Sequence, residues 1–220
     1  MITLGLDPSL RAFGWTLIND NAEIMDKGLL GTDADMIFVE RYMYLRQEVL
    51  ALITSIKAQY PNENLTMAVE SPYFNDLFSE GMYGLFLYVN EAIKLGEVDV
   101  MFLSPLQVKA HAHKFLGRPK GWKMQKSDMV LACKKANPNV KKLNNHQADA
   151  YWVARTGQRF WKFVNGIITD ADLDDVEKSQ FARLDLNKVG QVKSKGIMYK
   201  EDDRWFRWSI KNVEKKEEII

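Results

Sequence analysis

Three apolar runs crowd into the first thirty residues, and they limit what this chain can fold into more than any other feature. They are Ile2–Leu6, Trp15–Ile18 and a weaker run around Ile24–Leu30. Pro8, Ser9 and Gly14 separate the first two, and Asn19–Asp20–Asn21 suits a turn before the third. Short apolar runs divided by turn formers predict a three-stranded antiparallel meander. The first run ends abruptly on Asp7, so the meander delivers a carboxylate to the edge of a sheet.

Downstream the pattern alternates. Ile37, Tyr42, Leu45, Val49, Leu52, Ile53 and Ile56 recur at helical spacing, which predicts a long helix from Asp33 to about Tyr60, stopped by Pro61. Leu65–Val69 reads as a buried strand reached by that crossover helix, and it ends on Glu70. Ser79 is placed to cap a helix from Glu80 to about Leu95, with Gly96 after it. Val98–Leu103 is the next strand, and Ser104–Pro105 opens another helix. A basic loop at Gly117–Gly121 leads to a helix over Lys126–Asn137, closed by Pro138. The last strong helix starts near Asn145 and runs past Trp152 toward Phe163. The expected class is α/β: a meander plus parallel strands in one mixed sheet, flanked by helices on both faces.

After about residue 165 the periodicity weakens. Asp170, Asp172, Asp174, Asp175 and Glu177 form an acidic patch, Arg204–Ile210 alternates loosely like a late strand, and Lys215–Glu218 reads as a frayed tail. This divides the chain into a patterned body over residues 1–164 and an extension over 165–220. Trp152, Trp161, Trp205 and Trp208 are read as core or tail packing.

With 220 residues, 46% of them hydrophobic, the chain can build one real core. No apolar stretch is long enough for a membrane span, and no basic-then-apolar leader opens the sequence. The single Cys133 makes neither an internal disulfide nor a zinc site, so a reducing, cytoplasmic compartment is expected. The net charge of +1 conceals a segregation. Residues 1–105 carry 6 basic and 15 acidic residues, whereas residues 106–142 carry 10 basic residues against Asp128 alone. A cationic segment of this kind suits phosphate contact, although a solvated basic helix pair would look the same.

Asp7 and Glu70 each end an apolar run, and His146 and Asp149 stand at i, i+3 on one face of a helix start. Singly, each acid reads as a turn, cap or surface residue. Together they are oxygen donors of the kind hard divalent cations require, as in metal-assisted phosphodiester hydrolysis. His146 then has three open roles: nitrogen ligand, general acid/base, or orienter of the attacking water.

The segment Leu4–Gly5–Leu6–Asp7–Pro8–Ser9, continuing to Gly14–Trp15, resembles the opening of the RuvC family of Holliday-junction resolvases. Ala68–Val69–Glu70–Ser71–Pro72–Tyr73–Phe74 is similar to its Glu-bearing strand and aromatic loop. Ser104–Pro105–Leu106–Gln107–Val108–Lys109, Lys126–Ser127–Asp128–Met129–Val130 and Asn145–His146–Gln147–Ala148–Asp149–Ala150 resemble its three later motifs, in the same order. The resemblance implies an RNase H-like nuclease domain over 1–164, a homodimer, and paired nicking of four-way DNA junctions with two Mg²⁺ ions, Mn²⁺ being able to substitute. It implies Asp7, Glu70 and Asp149 as metal ligands, with His146 completing the catalytic set and Lys109 and Lys126 contacting phosphate. With Lys114, Arg118, Lys120 and Lys123 these lysines would straddle the DNA arms. Tyr73 or Phe74 would stack on an unpaired base, a role that packing under a loop would equally explain. The small residues Gly81 and Gly84 suit either a symmetry mate or the core.

Leu10–Arg11 before Ala-Phe-Gly, a long basic loop and the unmatched tail depart from the family's pattern. A viral or otherwise divergent member would account for them, and a viral one would work in host cytoplasm. Three other functions fit less of the sequence. A fork and flap nuclease would share the chemistry. An actin-like phosphotransferase would need a second Gly-rich phosphate loop that is missing. A non-catalytic junction binder would lack a carboxylate.

Overall fold

The structure, a computed structural model, describes residues 1–71, 80–182, 198–201, 204–207 and 217–219. Strands β1 (Ile2–Asp7), β2 (Ala12–Ile18) and β3 (Ile24–Gly31) form the expected antiparallel meander, with Asp7 opposite Gly14 in register. Helix α1 (Phe38–Gln59) crosses over to β4 (Leu65–Glu70), which lies parallel to β1 with Leu6 beside Val69. Helix α2 (Glu80–Leu95) leads to β5 (Asp99–Leu103), parallel to β4 with Glu70 beside Leu103. Beyond β5 the sheet continues antiparallel through β6 (Met198–Glu201), β7 (Arg204–Arg207) and β8 (Glu217–Ile219), giving the order β3-β2-β1-β4-β5-β6-β7-β8.

Side chains alternate across the sheet, and both faces are buried. Leu4, Leu6, Met67, Val69, Val100 and Phe102 pack beneath α1 and α2. Ala68, Met101 and Leu103 face α3 (Pro105–Leu116), α4 (Lys126–Ala136) and α5 (Asn145–Val164). Such two-sided burial explains why β1 and β4 read as continuous apolar runs instead of alternating ones. Thr3 and Thr66, buried on the α5 face, satisfy each other through a 3.0 Å hydroxyl hydrogen bond. Trp152 and Trp161 are core residues of α5, as expected.

Three readings of the sequence need correction. The first long helix begins at Phe38, not at Asp33. The buried Arg41 guanidinium donates to the carbonyls of Ala34 (2.7 Å) and Met36 (2.8 Å), holding the preceding turn out of the helix, while Glu40 caps the Ile37 N–H. The acidic stretch after residue 165, where the sequence pattern weakens, is regularly structured. It forms a 3₁₀ turn at Asp170–Asp172 and helix α6 (Asp175–Ala182), and buried Glu177 receives two hydrogen bonds from Arg159, at 2.7 and 2.8 Å. The proposed frayed tail includes Glu217 and Glu218, which lie in β8 and pair with Arg207 and Phe206.

Gly81 and Gly84 lie against α1 of the same chain, where a Cβ on Gly84 would stand 2.7 Å from the Tyr42 ring. Close helix packing within the chain therefore explains them. Among the described residues no helix is long and apolar enough to cross a membrane.

Candidate active site

Strand parity sets the site. Thr3, Gly5 and Asp7 alternate onto the α5 face of β1, and Thr66, Ala68 and Glu70 do the same on β4. Because the two strands are parallel and in step, their terminal acids leave the sheet side by side.

Helix α5 reaches the same place because the sheet is cut away beneath it. A Cβ on Gly14 would collide with the His146 carbonyl oxygen, and one on Gly5 with the Ala150 carbonyl oxygen. Gly157 of α5 gives the reciprocal clearance over Ala68. Glycine within a strand commonly marks such a close backbone approach. The start of α5 is fixed by a capping box, in which Asn144 Oδ1 accepts from the Gln147 N–H (2.9 Å) and Gln147 Oε1 from the Asn144 N–H (3.2 Å). Thr16 on β2 donates to the Gln147 carbonyl at 2.9 Å and ties that first turn to the sheet. His146 and Asp149 therefore meet Asp7 and Glu70 at one cleft.

Lys109 of α3, together with Gln125 and Lys126 at the start of α4, also lines this cleft, as does Ser9 from the β1–β2 turn. Asp7 Oδ2 accepts a 3.2 Å hydrogen bond from His146 Nδ1. That bond raises the His146 pKa, and the Asp7 charge adds to it. Burial pushes Glu70 up to about 8, reinforced by the negative charges of Asp7 and Asp149 and opposed by Lys109. Asp149 rises to about 6, again chiefly from burial and then from Asp7.

Among the described residues no three His, Cys, Asp or Glu side chains already stand as a ready cage for an ion. The donor chemistry nevertheless fits a hard divalent cation. Three carboxylates face one cleft, burial and then mutual repulsion destabilise the ionised state of Glu70 and Asp149, and a +2 charge is what would relieve it. Asp7, Glu70 and Asp149 are the residues that would hold it.

The cationic segment divides by position. Lys109 and Lys126 are in the cleft wall, whereas Lys120 and Lys123 are exposed on the loop between α3 and α4. Arg118, on that loop, is engaged by Asp128, its amino group donating to Oδ1 at 2.7 Å. Asp128 also accepts from the Gln125 N–H and the Trp122 indole, both at 3.1 Å. These bonds, the Gln125 one foremost, hold its carboxyl below the usual range. The only acid in the cationic segment thus organises the loop that carries the bases. Tyr73 and Phe74 lie outside the described residues. Ser9 and Gln125 escaped sequence reasoning because single polar residues in turns carry no spacing signal. The close-approach role of Gly5 was available from its position inside an apolar run, whereas Gly14, read as a separator before the second run, lies inside β2.

No protein-family model and no curated protein sequence matches the chain. Solved structures do. Thermus thermophilus RuvC in complex with a Holliday junction substrate is similar with a TM-score of 0.56 at 18% identity, over 74% of this chain and 95% of that one. The Thermus thermophilus RuvC structure gives the same TM-score and identity, over 74% of this chain and 96% of that one. The mixed sheet, its flanking helices and these likenesses together establish that the chain has the RuvC, RNase H-like fold.

Proposed function

We propose that this chain is a divergent RuvC-type, divalent-metal-dependent endonuclease that resolves four-way DNA junctions by paired phosphodiester cleavage. One observation carries the reading: Asp7, Glu70 and Asp149, delivered by three separate elements, share a cleft with His146 and are bordered by Lys109 and Lys126. Residues 1–164 form the nuclease unit in this reading, and 165–220 are an extension to it.

Asp7, Glu70 and Asp149 hold Mg²⁺, two ions being expected, with Mn²⁺ able to substitute. Bound there, the metal supplies an activated water and stabilises charge on the phosphoryl oxygens. The protein's own groups do the rest. Lys109 and Lys126 place cations where the scissile phosphate must enter. His146 lines the cleft and donates from Nδ1 to Asp7, which leaves Nε2 to accept a proton when neutral and to donate one when charged.

Paired nicks require two such sites, so a homodimer belongs to the proposal. The α1–α2 layer supports it by leaving Val39 and Met43, one turn apart, and Tyr83 and Leu87, one turn apart, about half exposed. The test is cleavage of a synthetic four-way junction with and without Mg²⁺. Paired nicks that need the metal and vanish in Asp7→Asn are expected. Equal cleavage of a linear duplex, or activity surviving that substitution, would refute the reading, and forks and flaps in the same panel test the broader branched-DNA specificity.

A further inference from the structure

Trp122 is a large aromatic residue with nearly half of its surface open to solvent, at 46% exposure, in the middle of a strongly basic loop. Exposure alone would be ordinary, but a broad aromatic ring left open among phosphate-binding cations is chemically specific. Lys120, Lys123 and Lys126 are all exposed within four residues of it, and Met124, Gln125 and Lys126, which follow it closely, line the cleft.

The ring is also held still. Its indole N–H donates to Asp128 Oδ2 at 3.1 Å, and the Arg118 guanidinium carbon stands 4.8 Å from the ring centroid. Its backbone N–H donates to the Pro119 carbonyl at 3.1 Å, and the His113 Nε2 lies 3.1 Å from that same oxygen. Gly117 and Gly121, at φ 65° and 87°, supply the left-handed turns that this compact loop requires. An apolar plane fixed on one side and ringed by cations matches the chemistry of an unstacked nucleobase with its phosphates. The cations take the backbone while the ring takes the base face.

We infer that Trp122 is a stacking platform for a nucleobase displaced from its helix beside the cleft, and so a residue that favours branched or single-stranded DNA over continuous duplex. The inference rests on DNA being the substrate, as proposed above, and it adds a contact separate from the residues that hold metal.

The test is equilibrium binding in EDTA, which prevents cleavage, by the full chain and its Trp122→Ala and Trp122→Phe variants. Three probes are used: a four-way junction, a (dT)20 single strand and a linear duplex. Stacking predicts that Trp122→Ala loses about 10- to 100-fold in affinity for the first two and changes little on duplex, while Trp122→Phe keeps most of the affinity. Unchanged binding by Trp122→Ala, or an equal loss on all three probes, would overturn the inference. So would a loss in Trp122→Phe as large as in Trp122→Ala, because the bond to Asp128 would then be the whole role. If the wild type shows no preference for junctions, the resolvase reading fails, yet the (dT)20 comparison still decides the fate of Trp122.

Discussion

Glu70→Gln in the metal-free protein is the sharpest probe of the cleft's electrostatics. Folding carries the Glu70 carboxyl from an ordinary 4.5 up to about 8, mainly by burial and then by Asp7 and Asp149. Between those two values the folded chain holds a proton that the unfolded chain has released. Unfolding free energy therefore falls as pH climbs through this window, and the stability stays lost above it. The gap corresponds to a ceiling of ~5 kcal/mol between about pH 4 and pH 9. A glutamine side chain at this position has the size and shape of the carboxyl without its charge, so the variant loses this pH dependence. Comparing it with the wild type also cancels groups common to both, including His111, whose pKa burial lowers.

Thermal or urea unfolding in EDTA at pH 5, 7 and 9 measures the effect. Wild type and Glu70→Gln are expected to match near pH 5, with the variant several kcal/mol more stable at pH 9. Saturating Mg²⁺ should restore the wild type at pH 9 and do little for the variant, since the ion binds the ionised form. A wild type no less stable than Glu70→Gln at pH 9 would refute the claim that folding buries the Glu70 carboxyl beside other acids at a cost to its ionised form.

Two further outcomes follow from the geometry. Gly14→Ala would place a Cβ 2.8 Å from that of His146 and push the first turn of α5 off the sheet. The expected stability cost is about 1–3 kcal/mol, and misplacement of His146 and Asp149 by about 1 Å should lower cleavage on the order of 100-fold, read by melting and junction-cleavage rates. Lys109→Ala removes a cation that lowers both Glu70 and Asp149. It should weaken binding to all DNA probes and reduce the slope of log affinity against log salt by about one, measured by salt titration.

Much of this was legible in the sequence, for identifiable reasons. The meander and the two parallel strands show as apolar runs because both sheet faces are covered, and Asp7 and Glu70 stand out as acids ending such runs. His146 and Asp149 share a helix face by spacing alone. What spacing does not convey is which helix covers which strand. Gly5 and Gly14 hold that information, but Gly14 reads as a turn former before the second run, and a strand glycine such as Gly5 shows only that something comes close, not what. The start of α1 was misplaced because Arg41 reaches back to two carbonyls, a local device invisible to hydrophobic periodicity. Glu217 and Glu218 read as tail because β8 owes its existence to a partner strand and not to its own composition.

Helix α5 joins the fold and the site. Its central turns bury Tyr151, Trp152, Phe160 and Trp161, and its first turn carries His146 and Asp149 into the cleft. Burying Glu70 and Asp149 beside Asp7 in one cleft opposes folding, so their position has to be enforced by something that does not yield. The enforcement is backbone contact: at Gly5 and Gly14 the helix lies on the strands without intervening side chains, and a rigid helix transmits that seating to its end. Substitutions along α5 should therefore separate by position. Those near the Arg159–Glu177 pair should cost stability first, and those under the first turn should cost activity first. The acids at the strand ends share a cleft with His146 and Asp149 only because two glycines beside them bring the helix down.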